Sequence, residues 1–389
     1  MKHAAISRIA LASTFTLGLA VSVNAQVSTL FGGGVAGTGE GNLHVLDQAD
    51  YSLTELADTG YTRLSGLAVT PDGRMWGSTH LPSNDLLELD PETGNVLSTV
   101  KLEIDGDSPW VSDLAVQPGT GTIFALGRVN FEKIAVLYTV DPATGIMTEI
   151  GETGESRQGG LAFAADGTLY MSAVSFSAPL HTLNPATAEI LSTVTIGALT
   201  GIHGLAFDPL TDELFGSNPG GKLFSIDPTT GASTLAGDLN RVMSGITFRL
   251  TSAKEEVRNS ALGAPNQAQL LPGASSGPVI GSVWDPRIVA SPGTTSLIDV
   301  MITAFGPADL PLLPGPNGVV LCNILTGPGI VDTNFSTPVG GVQQPFAIPF
   351  PDETSLLGIT LCTQGGYADG TTPGLIHLTN AIDITIGAF

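Results

Sequence analysis

The apolar and polar positions of this chain repeat. One short apolar phrase ends in a turn: Gly66-Leu67-Ala68-Val69-Thr70-Pro71-Asp72-Gly73. It returns as Asp113-Leu114-Ala115-Val116-Gln117-Pro118-Gly119, as Gly160-Leu161-Ala162-Phe163-Ala164-Ala165-Asp166-Gly167, and as Gly204-Leu205-Ala206-Phe207-Asp208-Pro209. A last copy, Gly245-Ile246-Thr247-Phe248, has no turn behind it. The Leu/Ile positions 67, 114, 161, 205 and 246 are 47, 47, 44 and 41 residues apart. A second phrase interleaves with the first: Leu89-Asp90-Pro91-Glu92-Thr93-Gly94, Val140-Asp141-Pro142-Ala143-Thr144-Gly145, Leu183-Asn184-Pro185-Ala186-Thr187-Ala188 and Ile226-Asp227-Pro228-Thr229-Thr230-Gly231. Asp47 marks a worn fifth copy.

Each period holds four short strands. In the first full unit they are expected at about 66–70, 74–79, 86–90 and 95–101. Pro-Asp-Gly and Asp-Pro-x-Thr-Gly are the connecting turns, because Pro presets φ, Asp bonds backbone N–H groups ahead of it and Gly supplies positive φ. A period of 40–50 residues with four strands and no helical spacing is a β-propeller signature. The last copy, 244–249, supplies one inner strand, and Val27–Gly33, Leu43–Asp47 and Ser52–Leu56 supply the other three strands of that unit. The expected fold is all-β: a five-bladed propeller over residues 26–250, closed by both termini. Six blades, with a degenerate one in the segment that follows, is the alternative.

These phrases resemble those of the broad superfamily of YVTN-, NHL- and gluconolactonase-like propellers, over residues ~27–250. The resemblance implies the fold. It says little about function, since such propellers include lyases, lactonases, cofactor holders and pure binding modules.

Residues 251–272 break the rhythm and read as a linker, with Pro265 and Pro272 outweighing a helical turn at 252–258. Beyond them, strands are expected at Val279–Trp284, Leu297–Phe305, Gly318–Leu325, Phe346–Phe350, Leu356–Cys362, Leu375–Leu378 and Ile382–Ile386. Short strands without helices imply a β-sandwich over 273–389. Pro278–Trp284, Ile348–Asp352, Leu357–Leu361 and Leu378–Gly387 resemble a C-terminal domain of secreted planctomycete-type bacterial proteins, which implies export. Cys322 and Cys362, the only cysteines, sit in two expected strands and are expected to form a disulfide.

Composition fits this picture and adds a compartment. Lys2, His3 and Arg8 precede an apolar run, Ile9–Val23, and Val23-Asn24-Ala25 gives small residues at a cleavage site. Residues 1–25 are therefore expected to be a secretory signal peptide, placing the mature chain outside the cell, on its surface or in a periplasm. No later stretch is long and apolar enough to span a bilayer. Cleavage removes Lys2 and Arg8, leaving 12 basic against 36 acidic side chains. That balance argues against nucleic acid as a partner.

The candidate chemistry is sparse. Gly273-Ala274-Ser275-Ser276-Gly277 matches G-x-S-x-G but runs from Pro272 into a strand, whereas a nucleophile elbow needs a strand before it and a helix after it. Gly32-Gly33-Gly34 and Gly220-Gly221-Lys222 lack a phosphate-loop frame. Glu103, Asp105 and Asp107 are the candidate Ca²⁺ ligands, though a solvated acidic loop is the plainer reading, and no other cofactor is implied. Propeller geometry is more informative. The loops entering the inner strands share one face with the loops between second and third strands. They bring Arg63, His80, Trp110, Asp113, Arg128, Arg157, His203, Asn218 and Arg241 to one channel mouth. Basic and aromatic groups there suit a small anionic or sugar-like ligand. The favoured expectation is a secreted binding or surface-associated protein, its partner a small molecule, a glycan or a surface protein. The enzymatic alternative is a lactonase- or lyase-like propeller using His203 as base, Arg157 as carboxylate holder and Asp113 beside them.

Overall fold

The repeated phrases become strands at the positions expected to within one or two residues. In the computed structural model, residues 28–34, 41–80, 83–129, 134–197, 201–259, 266–310, 319–325, 329–372 and 374–389 are described. The expected signal peptide lies outside the described residues.

The chain opens with β1 (Ser28–Gly34), β2 (Leu43–Leu46) and β3 (Leu53–Ala57). Four consecutive sheets follow. The first is β4 (Leu64–Val69), β5 (Met75–Thr79), β6 (Asp85–Leu89) and β7 (Val96–Lys101). The second is β8 (Trp110–Val116), β9 (Ile123–Arg128), β10 (Val136–Val140) and β11 (Met147–Glu152). The third is β12 (Leu161–Phe163), β13 (Leu169–Ser172), β14 (Pro179–Leu183) and β15 (Ile190–Thr195). The fourth is β16 (Gly204–Phe207), β17 (Leu214–Ser217), β18 (Lys222–Ile226) and β19 (Ser233–Asp238). β20 (Met243–Leu250) then returns to pair with β1, giving a fifth four-stranded sheet in the order β20-β1-β2-β3. All pairings in these sheets are antiparallel. This is β-propeller architecture.

The turns explain why the second phrase recurs. Asp90, Asp141 and Asp227 each accept the N–H two residues on, at 2.8–2.9 Å, and the Thr hydroxyl three residues on, at 2.6–2.8 Å. These bonds hold the three carboxyls below the ordinary Asp range. Asn184 bonds the Ala186 N–H the same way, at 2.9 Å.

The innermost strands follow one another in a closed order. Ser65 Oγ lies 3.0 Å from the Val111 carbonyl, Ser112 Oγ 3.2 Å from Gly159, Ser172 Oγ 3.1 Å from Ile202, and Ser217 Oγ 2.8 Å from Met243. Gly245 packs directly on Gly66, closing the circuit. The repeated Leu67, Leu114, Leu161, Leu205 and Ile246 are all buried between neighbouring sheets. One position before them stand Gly66, Asp113, Gly160, Gly204 and Gly245. A Cβ on Gly66 would lie 2.7 Å from the Asp113 Cα, and one on Gly160 would strike the Leu205 nitrogen. The strands approach closely because four of these five residues have no side chain.

Residues 251–272 are more than a linker. β21 (Lys254–Arg258) joins a five-stranded sheet in the order β21-β31-β30-β25-β28, built with β25 (Ser296–Ala304), β28 (Ile330–Ser336), β30 (Thr360–Asp369) and β31 (Ile376–Thr385). The charged run Lys254-Glu255-Glu256 belongs to an edge strand, where charge blocks further pairing. Arg258 is fixed there by Asp383 at 2.6 Å. β22 (Gln269–Leu271) pairs with β24 (Arg287–Val289), β23 (Val283–Trp284) with β29 (Ile348–Pro349), and β26 (Pro307–Leu310) with β27 (Val320–Cys322). Trp284, Ile288, Met301, Phe346, Tyr367 and Ile382 form the buried core between the large sheet and these ribbons. The two strands expected at 375–378 and 382–386 are one, and Leu356 closes a short 3₁₀ turn, so that strand begins at Thr360. Cys322 and Cys362 are joined in a disulfide and are fully buried.

Candidate functional site

The two ends of the channel differ. One end is lined mostly by apolar side chains, among them Val69, Val116, Phe163, Phe207 and Phe248. The other opens into a cavity of about 360 Å³ lined by Arg63, Ser65, His80, Trp110, Ser112, Arg128, Ser156, Arg157, Gln158, Gly159, Val174, His203 and Ser244. Among the described residues no carboxylate lines it.

The floor of this cavity is set by the repeat. Ser65, Ser112, Gly159, His203 and Ser244 each precede the close-packed position of an inner strand. Ser65 and Ser112 direct their hydroxyls at the carbonyls of the next inner strand, so they stitch the ring together. His203 is the one large side chain at this level. Burial lowers its pKa, favouring the neutral ring.

The wall comes from three consecutive sheets. Arg63 precedes β4 and its guanidinium lies 3.4 Å from His80 Nδ1, just beyond β5. The His80 ring meets the Trp110 ring edge-on, with centroids 4.2 Å apart. Arg128, at the end of β9, stacks over Trp110 at 4.0 Å, a cation–π contact that holds the guanidinium without a counter-charge. Arg157, ahead of β12, donates to the Val174 carbonyl at 3.3 Å. Burial, and then the charges of Arg63 and Arg128, push the His80 pKa down to about 4. His80 is therefore neutral at physiological pH.

Several polar atoms here are buried and have no partner within the described residues: His80 Nε2, Arg128 Nε, and both amide atoms of Gln158. Buried polar groups normally find partners, so their concentration on one cavity makes it the candidate site.

Six of the nine mouth residues expected from the sequence line this cavity: Arg63, His80, Trp110, Arg128, Arg157 and His203. The other three do not. Asp113 is completely buried below the floor and bonds backbone N–H groups. Asn218 Oδ1 accepts the N–H groups of Gly220 and Lys222, both at 3.0 Å, and makes a turn. Arg241 lies against His44 at 3.4 Å and Glu55 at 4.0 Å. Inner-strand entry alone does not select the mouth, because a side chain on the strand's axial position points inward, as with Asp113. Sequence reasoning overlooked Gln158; its place between Arg157 and the floor residue Gly159 is the signal that would have found it.

The Ca²⁺ candidates do not assemble. Among the described residues no group of three or more His, Cys, Asp or Glu side chains is placed to hold a metal ion. Glu103 forms a backbone bridge with Ile146, and Ile104 pairs with Asp107 to close a turn around Asp105 and Gly106. Of the described residues, no helix is long and apolar enough to cross a membrane.

No family model and no curated protein matches this chain. Solved structures resemble it at low identity. A nidogen/laminin complex chain matches at 14% identity, covering 57% of this chain and 98% of that one, with a TM-score of 0.41. A gluconolactonase from Xanthomonas campestris matches at 17% identity, covering 56% and 78%, with a TM-score of 0.38. A glutaminyl cyclase from Myxococcus xanthus matches at 17% identity, covering 47% and 69%, with a TM-score of 0.34.

Proposed function

We propose that this chain is an exported binding protein whose five-bladed ring receives a small anionic ligand at the arginine-lined end of its channel. One observation carries the reading. Arg63, Arg128 and Arg157 line one cavity in a strongly acidic chain, and among the described residues no carboxylate lines it with them. Three of the eight arginines outside the signal segment thus converge where no described residue of the cavity lining neutralises them. Guanidinium groups bind oxyanions by short, charge-assisted and often bidentate hydrogen bonds. Trp110 offers a flat apolar face beside them.

Export is supported by the signal-like N-terminal segment, by a buried disulfide of the kind formed in oxidising compartments, and by the wording of the C-terminal domain. In this reading residues 273–389 form a sandwich that spaces or attaches the ring. The catalytic alternative needed His203, Asp113 and Arg157 to act on one substrate. Asp113 lies beneath the floor and out of a ligand's reach, which favours binding over turnover.

Titration of the purified protein with small anions, followed by calorimetry and thermal shift, tests the reading. Binding that Arg157→Gln and Arg128→Gln weaken is expected. A cavity indifferent to carboxylates, sulfate and phosphate alike would refute it.

A further inference from the structure

The cavity's charge and the setting of His80 narrow the ligand, on the reading that the site binds anions. Arg63, Arg128 and Arg157 have no carboxylate within ion-pair distance among the described residues. They come from three consecutive sheets, so they form an arc along one side of the mouth. A singly charged ligand leaves most of that charge uncompensated. A group with two negative charges balances it better and offers several acceptor oxygens to the three guanidiniums.

His80 sits inside this arc. Its Nδ1 faces the Arg63 guanidinium at 3.4 Å, so Nδ1 is the acceptor and the hydrogen of the neutral ring is on Nε2. That Nε2 is buried and has no partner among the described residues. The charged groups acting on the ring are Arg63 and Arg128, both cationic. Trp110 meets it edge-on and carries no charge. Two cations and burial hold the ring neutral while the site is empty, and an incoming anion offsets the same two cations. We propose that the cavity recognises a doubly charged oxyanion group, and that His80 gains a proton as that group enters. The proton comes from solvent and is released again when the ligand leaves. Placed on Nδ1, it would oppose Arg63; the geometry therefore implies that Arg63 turns from His80 to the ligand when the site fills.

Two features follow. The site prefers dianions over monoanions of similar size, and it loads more readily as pH falls. The loss of affinity as pH rises is set by His80 moving from its depressed value towards the ordinary histidine range in the complex.

Sulfate, malonate and acetate are suitable probes for the full mature protein. Sulfate keeps its charge between pH 5 and pH 7.5, so its pH dependence reports the protein. Calorimetry in two buffers of different ionisation enthalpy counts the protons taken up. Sulfate is expected to bind roughly tenfold or more tightly at pH 5 than at pH 7.5, with uptake approaching one proton at pH 5. Malonate in place of sulfate distinguishes a paired carboxylate from a tetrahedral group, and acetate is expected to bind at least about tenfold more weakly than either. His80→Gln is expected to lose both the proton uptake and the tighter binding at pH 5, whereas His377→Gln, in β31 and outside the cavity, keeps both. Equal affinity for acetate and the dianions would overturn the dianion preference while leaving an anion site in place. Wild-type binding of sulfate with no proton uptake would overturn the role of His80, even if the His80 variant failed to fold. No binding of any of the three would remove both this inference and the reading beneath it.

Discussion

The Asp113 carboxylate accepts the backbone N–H of Leu161 at 2.9 Å, across the junction between two neighbouring sheets. The same oxygen lies 3.5 Å from the N–H of Leu205, and the other oxygen accepts the N–H of Leu114 at 2.9 Å. Four inner strands carry glycine at this level and one carries aspartate. A single side chain therefore fills the ring's centre and takes up donors from its own inner strand and from two others. Burial nevertheless raises the carboxyl pKa well above the ordinary Asp range, outweighing the pull of the N–H groups.

Asp113→Ala is expected to destabilise the ring by about 2 kcal/mol or more, because it leaves buried N–H groups without an acceptor. Asp113→Asn probes the charge. A native pKa above the unfolded one means the folded state holds the proton more tightly. Its stabilising contribution is thus full below the unfolded pKa and is lost as pH rises through the native value. Urea denaturation between pH 4 and pH 8 should show the wild type losing stability relative to Asp113→Asn as pH rises. A constant difference across that range would refute the shift.

The proposed anion site has a built-in comparison. Arg128 stacks on Trp110 at the mouth, and Arg74 stacks on Trp76 at 4.6 Å while paired with Glu88 at 2.8 Å. Both are arginine–tryptophan pairs, but Arg74 already has its counter-charge. Arg128→Gln is expected to weaken anion binding by about 10- to 100-fold, the range of a lost charge-assisted hydrogen bond. Arg74→Gln should leave binding unchanged. Trp110→Ala should weaken binding as well, since it removes the surface that holds Arg128 and His80 in place. Equal effects of Arg74→Gln and Arg128→Gln would mean that long-range charge, and not the cavity, governs binding.

Much of the ring was legible because its turns are chemically explicit. Asp-Pro-x-Thr-Gly dictates a turn through Asp90, Asp141 and Asp227, and the apolar phrase dictates a strand buried on both faces. The mouth was legible for residues in loops, such as Arg63 and Arg157, whose only constraint is which face their loop occupies. It was misread where a residue lies on the strand itself: Asp113 looks like a mouth residue in sequence, yet its position points to the axis. The C-terminal part was harder. Lys254–Arg258 and Ile330–Ser336 are edge strands with polar and charged residues, so hydrophobic alternation does not reveal them. The pairing of β21 with β31 joins positions more than a hundred residues apart, and no local pattern specifies such a contact.

The disulfide between Cys322 and Cys362 spans 40 residues. Both residues lie in one small buried cluster with Ala304, Leu321 and Ala381, beside the large sheet. Cys322→Ser/Cys362→Ser is expected to cost the C-terminal part about 2–4 kcal/mol. The arginine cavity lies within the ring and draws no residue from this region. Anion affinity should therefore survive the double substitution at temperatures where the C-terminal part remains folded. Loss of anion binding with the fold intact would tie the two parts together functionally.

Phe389 joins the two parts physically. Its ring lies under the Arg249 guanidinium at 4.9 Å and packs against Gly73, in the turn between β4 and β5. Arg249 also donates to the Gly73 carbonyl at 3.1 Å and reaches Glu92 at 3.5 Å, and Lys254 approaches the same Glu92 at 3.9 Å. The Phe389 carbonyl accepts the N–H of Ala253, and the N–H of Ala388 bonds Thr251. Residues on either side of the Thr251–Ala253 crossing are thus clamped to the first full sheet of the ring. The Glu92 contacts are largely solvent-exposed and worth little each, so the buried face of the Phe389 ring supplies most of the clamp. Phe389→Ala should leave both parts folded but lower the free energy that couples them, by about 1–3 kcal/mol. In calorimetry the variant is expected to show two separated transitions or a broadened one, where the wild type shows a narrower unfolding event. Glu92→Gln should change the profile much less. If Phe389→Ala unfolds with the wild-type profile, the contact does not couple the two parts.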